Sequence, residues 1–236
     1  MQKLALAFQL GQEALLMAMS PWTFLFNPIF APRLQDTPIG PRKPKVLIVD
    51  TWLHKSPLHW FWRWYLQQKG VDAAIVYFPL ADMSFAQSAA ALREHFRRND
   101  LRDVVIVAIS SGALTSGIFL RDLGGWDRVR QVITIGAPFK GTNAAVLVYF
   151  NPHLRALIPN SAFMWQLEHQ PISNPERIVC LSATFDELVP RWSSCLTPAI
   201  CQVLPVAGHD KLHSLSKVTY DRVIELVRQS SATPAI

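Results

Sequence analysis

The sequence predicts an α/β domain with a mostly parallel β-sheet and helices on both faces. Short apolar runs rich in β-branched residues recur at 46–50, 74–78, 104–109, 131–135, 178–183 and 202–206. Longer segments with helical spacing separate these runs. Strands covered on both faces are near-continuously apolar, and strands that alternate with helices are typical of parallel sheets.

Size and composition support one enzyme-sized domain. The chain has 236 residues, of which 50% are hydrophobic and 17% are charged, which is too apolar for disorder. Its formal charge of +6 comes from scattered basic residues, so nucleic-acid binding is not expected. A modest positive charge on a tryptophan-rich chain fits peripheral contact with an anionic membrane better.

Helices are predicted over 57–69, 85–98, 112–123 and 216–229, with Ser216 as the N-cap of the last. Residues 142–169 form a broken helical region. Residues 1–19 predict an amphipathic helical extension, followed by a proline-rich connector. The expected division is therefore 1–44 for the extension and connector and 45–236 for the α/β domain. The first residues make a poor signal peptide and are too short to span a bilayer, so we expect a cytoplasmic protein or one peripheral to the membrane.

The three cysteines predict neither a disulfide framework nor a zinc site. Cys180, Cys195 and Cys201 are expected to be reduced thiols. Cys195 and Cys201 are close enough in sequence to pair in an oxidising compartment.

A buried strand at 104–109 leads directly into Ser110, after which small residues open a helix. A nucleophile elbow has this arrangement, because the residues two before and two after the nucleophile must be small. They are Ala108 and Gly112, so the motif is A-x-S-x-G. The alternative is a loop in which Ser110 or Ser111 only caps the helix.

Over roughly residues 45–228, the elbow and the segments after it resemble the α/β-hydrolase superfamily, in its bacterial lipase and esterase branch. Residues 129–142 match a T-P-H-x-G-T type segment of that branch, with Phe139 where the family often has histidine. The resemblance implies the α/β-hydrolase fold.

The resemblance also implies a Ser-His-Asp triad in the order that this superfamily uses. Asp186 lies in a D-x-x-V-P segment after a strand, and Glu187 is its immediate rival as the acid. His209 follows the last strand in a Gly-His pair and would act as the base, with His213 as the alternative. Backbone amides of Ser111 and Trp52 would hold the oxyanion.

Ester hydrolysis through an acyl-serine intermediate is the function this resemblance implies, on a small hydrophobic ester and without a metal or organic cofactor. Asp50 is a departure, because it sets a negative charge near the place where an oxyanion would develop. A weakened or inactive protein that binds a membrane or partner is therefore an alternative. Acyl transfer with the same triad is another, and the oligomeric state is left open.

Two apolar segments are candidates for substrate selection. The first is an aromatic cluster after the first strand, for which we expect core packing, a role as a pocket wall or a role as an interfacial anchor. It consists of Trp52, Trp60, Phe61, Trp62, Trp64 and Tyr65. Residues 144–170 lie where the superfamily inserts caps, and a buried helix pair would have the same composition.

Overall fold

The computed structural model describes residues 43–51, 59–78, 83–148, 151–170 and 172–232, together with the isolated positions 11 and 39. The helix predicted over 1–19 and most of the proline-rich connector lie outside the described residues. The division at residue 44 stays a prediction.

Six parallel strands form one sheet in the order β2-β1-β3-β4-β5-β6, as the pattern of apolar runs predicts. The strands have the bounds Val46–Asp50 (β1), Ala73–Tyr77 (β2), Val104–Ile109 (β3), Val129–Ile135 (β4), Ile178–Phe185 (β5) and Ile200–Ala207 (β6). All six predicted strands are present. In β5 and β6 the pairing runs past the predicted ends, and it places the last residues of β5 next to the end of β6.

The helices have the bounds His59–Gln68 (α1), Phe85–Arg98 (α2), Gly112–Asp122 (α3), Ala162–His169 (α4), His209–Ser214 (α5) and Lys217–Ala232 (α6). A capping box between Ser84 and Gln87 begins α2. The predicted N-cap of α6 is confirmed, because the Ser216 hydroxyl accepts a hydrogen bond from the amide of Thr219. No helix in the described parts of the chain is long and apolar enough to cross a membrane.

The sheet carries a core on each face, as the fold class requires. Leu47 and Val49 point to the face covered by α2, α3 and α4, whereas Val46 and Ile48 point to the face covered by α1, α5 and α6. All four are fully buried. Each such side chain contributes about 1.5–3 kcal/mol through its removal from water, so the central strands form a rigid base for their carboxyl ends.

Cys195 and Cys201 form a disulfide, so the prediction of three reduced thiols was wrong for this pair. The connection from β5 to β6 turns back and brings their Cα atoms to 5.8 Å. Cys180 is a free thiol buried in β5. The cellular location stays a prediction.

The first turn of α3 packs directly on β1. A Cβ atom added to Gly112 would lie 2.4 Å from the carbonyl oxygen of Val49. A Cβ added to Gly117, in the same helix, would lie 2.9 Å from the Cδ1 atom of Ile172, which is the end of a flexible side chain.

We expect Gly112→Ala to lower the free energy of unfolding by about 3 kcal/mol, because backbone must move to make room. Gly117→Ala is the matched control and should change it by less than about 1 kcal/mol, since Ile172 can rotate and alanine favours helix. Urea unfolding followed by circular dichroism measures both. Equal stability of the two variants would contradict the close approach of α3 to β1.

Candidate active site

Ser110 occupies the turn between β3 and α3 in a left-handed conformation, with φ of +46°. Its amide donates to the carbonyl of Ile135 in β4 at 2.8 Å, and its carbonyl accepts from the amide of Ala113 at 3.1 Å. A non-glycine residue in this conformation costs about 1–3 kcal/mol and persists only where its surroundings hold it. The turn is therefore the strained strand-to-helix elbow that the A-x-S-x-G motif predicts, and its hydroxyl group stands at the carboxyl edge of the sheet.

The structure brings Ser110, His209 and Asp186 together in one hydrogen-bonded chain. Nε2 of His209 lies 3.1 Å from Oγ of Ser110, and Nδ1 lies 2.8 Å from Oδ2 of Asp186. An ionised carboxylate only accepts hydrogen bonds, so Nδ1 carries the proton and donates to Asp186. Nε2 then presents its lone pair to the Ser110 hydroxyl, as a general base must.

Asp186 is held from behind by its own loop. Its Oδ1 atom accepts from the amides of Leu188 at 3.0 Å and Val189 at 2.7 Å, which leaves Oδ2 for the imidazole. Its rival Glu187 makes a different contact, since both of its carboxylate oxygens lie 3.2 Å from the main-chain nitrogen of His209. Asp186 is therefore the carboxylate that orients the ring.

His213, the alternative base, packs edge-on against the His209 ring, with the ring centroids 5.0 Å apart. Its Nδ1 atom lies 2.9 Å from the Ser214 hydroxyl, and its Nε2 atom lies 3.3 Å from Asp210. Its carbonyl accepts a hydrogen bond from the indole of Trp62. His213 therefore packs behind the His209 ring, and His209 is the histidine that lies within hydrogen-bond distance of Ser110.

The surroundings of His209 favour its protonated form. Burial alone disfavours the imidazolium and lowers the pKa, but the charge and the hydrogen bond of Asp186 act in the opposite direction. The charges of Asp210 and Glu187 add to this effect, and together they raise the pKa of His209 to about 9. The positive charge that forms when His209 takes a proton is therefore stabilised by three carboxylates.

The first expected oxyanion donor, Ser111, is the N-cap of α3 and is buried. Its amide is at the positive end of that helix, where a developing anion is favoured. The hydroxyls of Thr51 and Ser111 lie 3.1 Å apart, which ties the end of β1 to the elbow. Trp52, the second expected donor, lies outside the described residues. Asp50 is 2% exposed at the end of β1.

Gly136 has a role at the site that the sequence analysis missed. It follows β4 with φ of +59°, and a Cβ atom there would lie 3.0 Å from Cε1 and 3.2 Å from Nδ1 of His209. A side chain at this position would therefore displace the imidazole. The signal in the sequence was a glycine directly after a buried strand, in a segment whose resemblance drew attention to Phe139 instead.

The loops beside the triad brace one another. The amide of Phe139 donates to the carbonyl of Ser193 at 3.0 Å, and the Ser193 hydroxyl donates to the carbonyl of Gly141 at 2.6 Å. Thr142 donates from its hydroxyl to the carbonyl of Leu188. Phe139 itself is buried in the core. Hydrogen bonds therefore tie the turn after β4 to the loop after Asp186.

Residues 144–170, for which a cap and a buried helix pair were the two predictions, contain parts of the 3-10 helices Asn143–Val148 and Leu154–Leu157, followed by α4. This segment packs on the core through Leu154, Leu157 and Met164 and exposes Val146, Leu147 and Trp165. In the aromatic cluster, Trp62 is fully buried, whereas Phe61 and Trp64 are about half exposed. Within the described ranges, no group of three or more potential ligands could hold a metal ion.

Similar architectures occur among solved structures. A lipase of Bacillus licheniformis in its mature form aligns with a TM-score of 0.64 at 18% identity, covering 81% of this chain and 96% of that one. A monoacylglycerol lipase of Paleococcus ferrophilus aligns with a TM-score of 0.62 at 11% identity, covering 83% and 98%. The protein has the α/β-hydrolase fold. No protein-family model and no curated protein matches its sequence.

Phospholipase PlaB of Legionella pneumophila gives a TM-score of 0.66 at 12% identity, and the match covers 78% of this chain and 60% of that one. The α/β-hydrolase fold places a nucleophile at the elbow after a central strand and an acid and a histidine after later strands. In this protein Ser110 follows β3, Asp186 follows β5 and His209 follows β6.

The activity that this site supports should rise with pH. The imidazolium form of His209 has no lone pair to accept the Ser110 proton, so an activity that uses His209 as its base is absent below the pKa of His209 and present above it. Because that pKa is raised to about 9, we expect the acidic limb of kcat/KM for an ester substrate to have its midpoint on the alkaline side of 6.5. A midpoint at or below 6.5 would contradict the electrostatic account of the site.

Proposed function

We propose that this protein hydrolyses carboxylic esters through an acyl-serine intermediate, with Ser110 as the nucleophile, His209 as the base and Asp186 as the residue that orients the base. The observation that carries the proposal is the continuous hydrogen-bonded chain from Ser110 Oγ through the His209 ring to Asp186. The hydrolases among the structural neighbours support it further.

In the acylation step, Oγ of Ser110 attacks the ester carbonyl carbon while His209 Nε2 takes the hydroxyl proton. The tetrahedral oxyanion then collapses, the bond to the alcohol oxygen breaks, and the imidazolium returns the proton to the leaving alkoxide. In deacylation, His209 removes a proton from water, the hydroxide attacks the acyl carbonyl, and the proton passes back to Ser110 as the acid leaves.

The oxyanion is proposed to accept hydrogen bonds from the amides of Ser111 and Trp52. The position of Ser111 at the N-terminus of α3 supports its part. The hydroxyl contact between Thr51 and Ser111 supports the part of the loop after β1, because it anchors the start of that loop beside the elbow. Removing one such donor typically costs about 100-fold or more in kcat.

A hydrophobic ester is the proposed substrate class. Residues 144–170 are proposed to form a cap, and their exposed apolar side chains Val146 and Leu147, the latter 82% exposed, support contact with an acyl chain over a charged substrate. Peripheral membrane contact is a further proposal, supported by the exposed rings of Phe61 and Trp64 on α1.

Hydrolysis of p-nitrophenyl butyrate by the purified protein tests the proposal. Ser110→Ala should lower kcat at least about 1,000-fold, because no acyl-enzyme forms and only the environment of the site is left. Ser231→Ala removes an exposed serine hydroxyl from α6 and is the matched control, expected to keep full activity. Equal rates for Ser110→Ala and the wild-type protein would reject the assignment.

A further inference from the structure

Three consecutive residues, the last residue of β5 and the two that follow it, hold the main chain at His209 and its ring. The carbonyl of Phe185 accepts from the amide of Gly208 at 2.9 Å, and Asp186 accepts from the imidazole. The carboxylate of Glu187 receives the amide of His209, with both oxygens 3.2 Å from the nitrogen. The loop after β5 therefore fixes both the backbone and the side chain of the base.

The carboxylate of Glu187 provides a hydrogen-bond acceptor for the first amide of helix α5. His209 is the first residue of that helix, and the amides of a first turn have no partner within the helix. The N-cap residue, Gly208, has no side chain to accept them. Glu187 brings a carboxylate from another element to this helix start, where it accepts the amide of His209.

We propose that Glu187 is a positioning residue, which anchors the main chain of His209 and stabilises the imidazolium that forms when Ser110 loses its proton. This inference rests on the proposed function for its catalytic consequence. The anchoring and the charge are two separable parts of the role, because the carboxylate touches the backbone while its charge acts on the ring.

In the described parts of the chain, the carboxylates that act on His209 come from two elements. Asp186 and Glu187 lie in the loop after β5, and Asp210 and His213 lie on α5 itself, where they pair with each other. Among the described residues, the Ser110 hydroxyl from the β3 turn and the backbone of Gly136 after β4 also lie close to the ring. Glu187 alone among these carboxylates combines a main-chain contact to His209 with a charge near its ring.

Two substitutions separate the parts of the role. Glu187→Gln removes the charge and keeps an oxygen that accepts from the His209 amide, whereas Glu187→Ala removes both. Glu225→Gln, in which an exposed carboxylate of α6 that pairs with Arg222 is neutralised, is the matched control. Because Glu187→Gln keeps an acceptor for the His209 amide, its titration tests the role of the charge even where the alanine variant folds poorly.

The first readout is the titration of the His209 ring, followed by ¹⁵N NMR of the full chain, with its signal identified by its absence in His209→Gln. We expect Glu187→Gln to move the midpoint down by about half a pH unit or more, because a nearby negative charge is lost. Glu225→Gln should leave the midpoint in place. The same midpoint in both variants would overturn the electrostatic part of the role.

The second readout is the division between kcat and KM on p-nitrophenyl butyrate, measured above the midpoint of each variant. Glu187→Ala should lower kcat about 10-fold with little change in KM, because a base displaced slightly from Ser110 transfers protons less well. Glu187→Gln should recover most of kcat. Unchanged kcat in the alanine variant would overturn the anchoring part.

The two readouts separate this inference from the proposed function. A lowered midpoint in a protein without esterase activity would leave the role of Glu187 in place and reject ester hydrolysis. Esterase activity with the same His209 midpoint and the same kcat in the wild-type protein and both Glu187 variants would support ester hydrolysis and reject the role of Glu187.

Discussion

Strand β3 and helix α3 meet in a bend that the rest of the site depends on. Gly112 lets the helix start lie against the carbonyl of Val49, and Ser110 takes the left-handed conformation that this approach requires. A larger residue at position 112 would push the helix away from β1 and move the serine with it. The bend therefore sets the place of the hydroxyl relative to the sheet, and the other groups are arranged around that place.

The partners of Ser110 reach it because the sheet is parallel. Strands β3, β4 and β5 end at the same edge, so the elbow, Gly136 and the loop with Asp186 are neighbours despite their separation in sequence. His209 follows β6. Because the end of β5 pairs with the end of β6, at Phe185 and Ala207, His209 lies next to Asp186. Strands that are buried on both faces keep these ends fixed, and a hydroxyl, a ring and a carboxylate are thereby held in line.

Much of this arrangement is predictable from sequence, because it rests on local rules. Continuous apolar runs predicted the six strands, and small residues flanking a serine predicted the bend at Ser110. Contacts between distant loops were not predictable in the same way. The helix that begins at His209 is only six residues long, and the roles of Gly136 and Glu187 depend on which atom of His209 each one faces. The pairing of Cys195 with Cys201 depended on a turn that the sequence pattern does not specify.

The proposed function depends on activation of the Ser110 hydroxyl by His209. The most direct measurement is peptide mass mapping after reaction with a fluorophosphonate, which modifies a serine only where a neighbouring base has activated it. We predict one adduct, on Ser110, that disappears when His209 is replaced by glutamine. An adduct on Ser111 or another serine, or no adduct in the folded protein, would contradict the account.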